Sequence, residues 1–450
     1  MKLLAPVAAM TMMIGSAYVA AASDAKNPEQ KPQEQVDLTQ PLTLERAIQI
    51  GLQNQPTLSI AKSGLSAARA RVTQARASYF PSIAPTFNYS NQLSTVTVNG
   101  VKQTGVIEQS VTQIGLRQLL FDTGKREENV LASRYSAKAN EFNYRDTRQI
   151  VISNVSTSFY EYLRRRELVK VARASVDRAK TTLDFTKASA EVGTGPKKDI
   201  LQAEADYDNA KVQLIIAEND VRLAATALKN AMGVLSMSPI VVSDAPVPAP
   251  PSNPDTTPVG DYVQKAFVKR NDIRSESASI DANRHQVKIA EINAGPVVEA
   301  DVTEGYRIDP SPGENRNFTT SFSYPLFDAG LSRAQVRQAK ASLDQSKSQL
   351  ALTKQNIQSE VEQAYLIREE ARLRIGATDA ALKAARLNYE AATTALREGA
   401  GTIIDVITAQ TLLVTAETNA VQAIFDFYTN DARLKRALGE NDPYLAGGKI

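Results

Sequence analysis

Two rhythms alternate along this chain, and the whole series of rhythms is written twice. A helical period comes first, entered at Thr43 as an N-cap and running from Leu44 to Arg76, with Pro81 beyond it as a stop. Alternation with a period of two follows. Ile83, Pro85, Phe87, Tyr89 and Leu93 stand against Ser82, Thr86, Asn88, Ser90 and Gln92, which predicts a strand. The turn pair Asn99-Gly100 and a less cleanly alternating return, Ile107 to Phe121, complete a hairpin. Then comes a proline-free helical stretch from about Lys125 to Glu191, with Val151, Val155, Phe159, Tyr162 and Val169 at coiled-coil spacing. It ends at Gly193 and Gly195, and a return helix from about Pro196 to Met232 closes at Gly233.

The second series runs in the same order. A helix is predicted from about Asp261 to Glu291, stopped by Pro296. Val298, Ala300, Val302, Tyr306 and Ile308 alternate with Glu299, Asp301, Thr303 and Arg307. After the turn-rich Asp309 to Gly313, Phe318, Phe322, Tyr324 and Leu326 form the apolar face of a return strand. A second long helix, about Leu331 to Glu398, ends at Gly399 and Gly401, and Ile403 to Leu438 returns to Gly439.

The copies align residue by residue. Leu120-Phe121-Asp122-Thr123-Gly124 returns as Leu326-Phe327-Asp328-Ala329-Gly330, a shift of 206 positions (Leu120 to Leu326) that also carries Asp199 onto Asp405. Upstream the shift is 215 (Pro81 to Pro296), so the first copy holds nine extra residues, which reads as one variable loop on a duplicated scaffold. The organisation expected is a leader at 1–22, an extension at 23–42, a first unit at 43–233 with its hairpin at about 82–121, a proline-rich linker at 234–260, a second unit at 261–439 with its hairpin at about 297–327, and a tail at 440–450.

Four amphipathic strands with one apolar and one polar face have the dyad pattern of a transmembrane barrel with a wet lumen, but four strands alone leave edges that lipid does not tolerate. Several chains, each giving four strands to one closed barrel, satisfy that constraint. The helices pose a similar problem. A stretch of roughly 65 residues spans on the order of 100 Å and carries an apolar stripe with no companion domain to cover it. Coiling within and between chains into a tube covers the stripe. The fold class expected is therefore mostly α with a small β part.

Composition narrows the chemistry. Lys2 and the apolar run Leu3 to Ala22, ending in three alanines, predict a cleaved signal peptide and export. There is no cysteine and a single histidine, His285, expected at the surface; neither disulfide, thiolate metal site nor nucleophile–base pair is available. No enzyme, metal or cofactor is expected. The net charge of +3 argues against a nucleic-acid partner.

At the doubled motifs, Leu-Phe-Asp-x-Gly leaving each hairpin and the glycine turn followed by an aspartate, the chain resembles the TolC family of outer-membrane efflux and secretion channels. The likeness covers about Leu42 to Gly439. It implies a homotrimer in the outer membrane, with a shared β-barrel in the lipid and a helical barrel crossing the periplasm. It also implies a periplasmic adaptor and an inner-membrane pump of the RND or ABC type as partners. The turns with Gly193, Gly195, Gly399 and Gly401 become the adaptor-docking tip, and Asp199 and Asp405 become entrance or gate residues. Leu120, Phe121, Asp122 and Gly124, with Leu326, Phe327, Asp328 and Gly330, become the barrel exit. Gly401, Leu396 and Thr408 stand where the family's gate arginine, tyrosine and second acid are expected. A periplasmic adaptor or spacer is the alternative reading, and the hairpins argue against it.

Overall fold

The computed structural model describes residues 41–440 other than 99, 194, 244–256 and 310, together with Asp442. The predicted leader, most of the extension, Asn99 of the first turn, the centre of the linker and most of the tail lie outside the described residues.

The elements are α1 Leu44–Asn54, α2 Pro56–Ala77, β1 Ser82–Val98, β2 Val101–Phe121, α3 Lys125–Glu191, α4 Lys197–Met232, α5 Val259–Lys269, α6 Asn271–Ile292, β3 Val297–Asp309, β4 Gly313–Ser323, α7 Leu331–Arg397 and α8 Ile403–Ala437. The long helices fall where their periodicity puts them, and Val151, Val155, Phe159, Tyr162 and Val169 are all buried.

The helix leading into each hairpin is broken where one continuous helix was expected. In the first copy Gln55 is extended because Pro56 disfavours helical geometry at the residue before it. In the second copy the break falls at the aligned position, Arg270, without a proline. Tertiary bonds replace the proline there. The buried Arg270 guanidinium pairs with Asp272 at 2.7 Å and donates to the Ala437 carbonyl at 3.2 Å. Gln55 makes the corresponding tie, donating to the carbonyls of Asn230 and Ala231 at 3.1 and 3.0 Å. Both breaks dock on the end of the return helix of their own copy. The approach is so close that a Cβ on Gly233 would lie 2.7 Å from the Asn54 carbonyl.

The strands form one antiparallel sheet in the order β1-β2-β3-β4. β4 ends at Ser323, short of the predicted Leu326, because Pro325 has no N–H for the ladder. The extra residues of the first copy lengthen strands rather than a loop. β3 pairs with β2 only from Ser110 to Phe121, so the outer half of β2 pairs with β1 alone and overhangs the sheet. Irregular pairing at Ser110/Val111 and Leu119/Phe121 explains why β2 alternates poorly.

Packing follows the sheet order. Beside the sheet, α2, α3, α6 and α7 lie side by side, and farther along the order is α4, α3, α8, α7. The sheet and the long helices form a single layer, on which α1, α5 and the start of the linker pack at mid-length. Among the described residues the core falls into three separate clusters: one around Val155, Phe159 and Leu228, one around Ile357, Val361 and Leu434, and one at the tip joining Leu183, Ala203 and Ile403. The start of the linker packs on the first cluster through Ile240 and Val242, with Val242 bridging to Leu42.

Candidate functional site

Three places in the layer carry function-bearing chemistry: the strand faces, the corner where strands become helices, and the tip where long helices reverse.

Directly opposed residues in an antiparallel sheet share a face. The register puts Ile83, Pro85 and Leu93 with Leu116, Ile114 and Val106, continues through Val302 and Val298, and ends with Phe318 and Phe322. Most of these side chains are exposed, Phe318 at 69 % and Phe322 at 70 %, while Leu116 and Val298 are half-buried. The opposite face carries Ser82, Thr86, Asn88, Arg117, Gln113, Thr303, Asp301, Glu299, Thr319 and Ser321. On it Arg117 pairs with Glu299. Next to the helices one face is suited to lipid and the other to water; farther out the first face also carries Asn91 with Glu108 and the Glu304–Arg316 pair at 2.7 Å.

Each Leu-Phe-Asp-x-Gly motif makes the corner. Thr123 and Gly124 have φ of +60° and +89°, and Ala329 and Gly330 have +51° and +86°. Two left-handed residues in a row turn the chain from strand to helix, and the aspartate satisfies the helix start. Asp122 accepts from the N–H groups of Gly124 at 3.3 Å and Arg126 at 2.8 Å; Asp328 accepts from Gly330 at 3.0 Å and Ser332 at 2.8 Å. Bonds from the Ser332 hydroxyl and these amides hold the Asp328 carboxyl below the ordinary aspartate range. Arg126 locks the first corner, donating to the carbonyls of Leu119 at 2.8 Å and Leu120 at 3.1 Å. Around both corners Phe80, Leu120, Phe121, Tyr324, Leu326 and Phe327 are exposed, an aromatic belt at the sheet's end.

At the tip Gly193 and Gly399 adopt φ of +79° and +74° and reverse the chain. Gly195 and Gly401 then close the turn by donating to the carbonyls of Ser189 at 3.1 Å and Ala395 at 3.0 Å. Gly401, standing where a gate arginine was expected, is hemmed in: a Cβ there would sit 3.0 Å from that of Ala395. Leu396 packs against the tip cluster.

The two aspartates differ. Asp405 sits at the third position of α8 in a capping box, its Oδ2 accepting from the Thr402 N–H at 2.9 Å and hydroxyl at 2.7 Å while its own N–H donates to Thr402 at 3.3 Å. The Thr402 hydroxyl and amide hold its carboxyl below the usual range. The cap residue is thus Thr402, and the Thr-x-x-Asp spacing is the signal that marks it. Asp199 has Pro196 at the cap position, which offers no side-chain bond.

Sequence reasoning missed the seam between the copies, because its partners lie hundreds of residues apart. Arg178 grips Glu417 through two bonds of 3.3 and 2.8 Å, Arg164 reaches Asp426 at 3.2 Å, and Gln410 donates to Asp206 at 3.0 Å. Burial raises the Asp206 carboxyl above the ordinary range. His285 also belongs to this seam rather than the surface: it hydrogen-bonds Glu128 at 2.5 Å and stacks on Tyr135 at 5.3 Å. Among the described residues no group of carboxylates and histidine is arranged to hold a metal, and no helix is long and apolar enough to cross a membrane.

Comparison with known proteins bears on this arrangement as a whole. The sequence model of the family described as "Outer membrane efflux protein" matches residues 47–234 and again 262–440, one match per copy. The chain is 24 % identical over 405 residues to the outer membrane efflux protein BepC of Brucella suis, covering 88 % of this chain and 85 % of that protein. It is 22 % identical over 423 residues to the outer membrane protein TolC of Escherichia coli, covering 89 % and 83 %. The fold superposes on the crystal structure of the Campylobacter jejuni CmeC outer membrane channel with a TM-score of 0.78 at 17 % identity, covering 88 % of this chain and 86 % of that one.

Proposed function

The chain belongs to the outer membrane efflux protein family, and from that premise we propose that three copies close into one conduit through the outer membrane and periplasm. The observation that carries this reading is the open layer. At sheet level its free edges are β1 and β4, and at helix level they are α2 or α4 on one side and α7 on the other. One edge differs from the other, so copies join head to tail, and such contacts close into a ring when the rotation permits. Twelve strands remove every sheet edge from lipid. The apolar face then meets lipid, the face of Arg117, Glu299 and Asp301 lines a wet lumen, and the helices extend the tube into the periplasm.

The glycine turns become the periplasmic mouth, where an adaptor fed by an RND or ABC pump docks, and cargo passes for efflux or type I secretion. The seam pairs Arg178–Glu417 and Asp206–Gln410 tie the two helical hairpins of a protomer together near that mouth. A periplasmic spacer has no use for a sheet that exposes Ile83, Ile114, Phe318 and Phe322 on one face beside the helices.

Native mass spectrometry of the detergent-extracted protein and conductance in a planar bilayer test the reading. Three copies and a conducting pore are expected; a monomer, or a trimer that never conducts, overturns it.

A further inference from the structure

Where α2 runs toward β1, a cleft of about 400 Å³ opens between the end of α2 and the first turns of α3. Arg76, Tyr79 and Phe80 form one wall, and Glu127, Leu131 and Arg134 the other. Its place is the first observation. Phe80 of the aromatic belt lines the cleft beside Tyr79, which lies under Arg126 of the first corner, and such belts sit where hydrocarbon gives way to headgroups. Its charge is the second. Arg126, nearby, is held by Asp122 at 3.3 Å and covers the Tyr79 ring at 5.2 Å, whereas Arg76 and Arg134 have no carboxylate within ion-pair distance among the described residues. Its floor is the third: Val130 is buried and Leu131 half-buried, while Phe80 is 71 % exposed beside the mouth.

We propose that this cleft is a binding site for the headgroup of an anionic glycerophospholipid, phosphatidylglycerol in its chemistry, from the periplasm-facing leaflet. Two guanidiniums converge on one phosphate, which they bind more strongly than an ammonium does. Glu127 accepts from the glycerol hydroxyls. The site's two positive charges and one negative charge match a headgroup of charge −1, and a zwitterionic lipid would leave a guanidinium uncompensated. Phe80 borders the start of the acyl chains. The proposal rests on the membrane-barrel reading and adds to it a lipid contact that sets where the barrel stops.

The test is the heat-dissociation temperature of the assembled protein in phosphatidylcholine vesicles with and without phosphatidylglycerol. The wild type should gain several degrees from the anionic lipid. The double change Arg76→Gln/Arg134→Gln should lose most of that gain, Arg76→Lys/Arg134→Lys should keep part of it, and Arg386→Gln, an exposed arginine of α7 beyond the cleft, should change nothing. An equal gain from phosphatidylethanolamine, from inorganic phosphate in detergent, or in the double glutamine variant overturns the headgroup site. Conductance measured alongside separates the two claims: channels that conduct without lipid preference sink only the site, and failure of every version to insert sinks the barrel reading with it.

Discussion

The long helices α3 and α7 occupy the same place in the two copies and have the same length, 67 residues, yet sixteen residues of α3 are buried and only three of α7. Composition does not separate them; position does. α3 has neighbours on both sides, α2 and α4 on one and α6 and α8 on the other, whereas α7 packs only toward α5, α6 and α8. Its other side leaves Leu366, Leu373 and Leu387 at 62 %, 62 % and 67 % exposed. The opposite edge of the layer shows a similar set on α4, with Leu201, Ile215 and Leu223 at 68 %, 66 % and 61 %. Covering one such side chain stabilises by about 1.5–3 kcal/mol, and a stripe of them repeated along a helix is a large drive for the next copy to dock. A duplicated sequence thus gives one interior helix and one edge helix.

Changing equivalent apolar positions to aspartate separates the roles most sharply. Val155 is fully buried, and Val155→Asp strands a charge inside the first core at a cost of several kcal/mol. No folded protomer should be recovered. Leu373→Asp, on the open side of α7, should leave helical content by circular dichroism intact and remove only the heat-stable oligomer. If Leu373→Asp unfolds the chain, or leaves the oligomer unchanged, α7 is not the closing edge.

The two faces of β4 differ in the same way. Phe322 opposes Val298 on the apolar face, and Ser321 opposes Glu299 on the polar one. A lysine facing mid-bilayer lipid costs ~2–4 kcal/mol, and one facing a wet lumen beside a carboxylate does not. Phe322→Lys should abolish membrane assembly while Ser321→Lys assembles normally, read as oligomer in the outer-membrane fraction. Equal yields of the two would reverse or remove the assignment of faces.

Much of this frame is legible in the residues, and the gaps are instructive. Helix and strand identities come through because their periods persist over many turns, whereas the expected helix and strand ran through Pro56 and Pro325, where local chemistry ends or breaks them. The break at Arg270 has no such mark; it exists because a buried guanidinium finds Asp272, Glu360 and the Ala437 carbonyl, partners up to 167 residues away. The inequality of α3 and α7 is equally silent, since which apolar stripe meets its own chain is decided by the order of elements in the layer. At the tip the glycines are readable and the seam pairs are not, but Thr402-x-x-Asp405 carried a helix-start signature that explains its aspartate.

The two tip turns repeat the comparison on a smaller scale. Gly193 and Gly399 hold left-handed geometry, which a branched side chain tolerates only at about 1–2 kcal/mol or more each. Gly193→Val with Gly399→Val should therefore leave the oligomer in the outer membrane, because strands and cores are untouched, while export falls to background. Survival of both export and adaptor crosslinking would show the turns to be passive loops.

The smallest effect separates the two aspartates beside those turns. In a ring of three copies they supply up to six carboxylates, and like charges gathered at a mouth enrich cations, an effect that salt weakens. Asp405 is exposed, and hydrogen bonds from Thr402 lower its proton affinity. Its folded value lies below the unfolded one, so the cap's contribution to stability is complete above the unfolded value and fades only as pH falls through the folded one. Its charge should likewise outlast that of an ordinary aspartate on acidification. Asp199 is half-buried, with Lys197 and Lys198 adjoining it in sequence. Reversal potentials under a salt gradient should thus show clear cation preference, a marked loss in Asp405→Asn and a slight one in Asp199→Asn. In the wild type the preference should persist as pH drops through the normal aspartate range. Equal losses in the two variants would make the flanking lysines irrelevant, and an unchanged potential in the double variant would leave Asp405 with its cap alone.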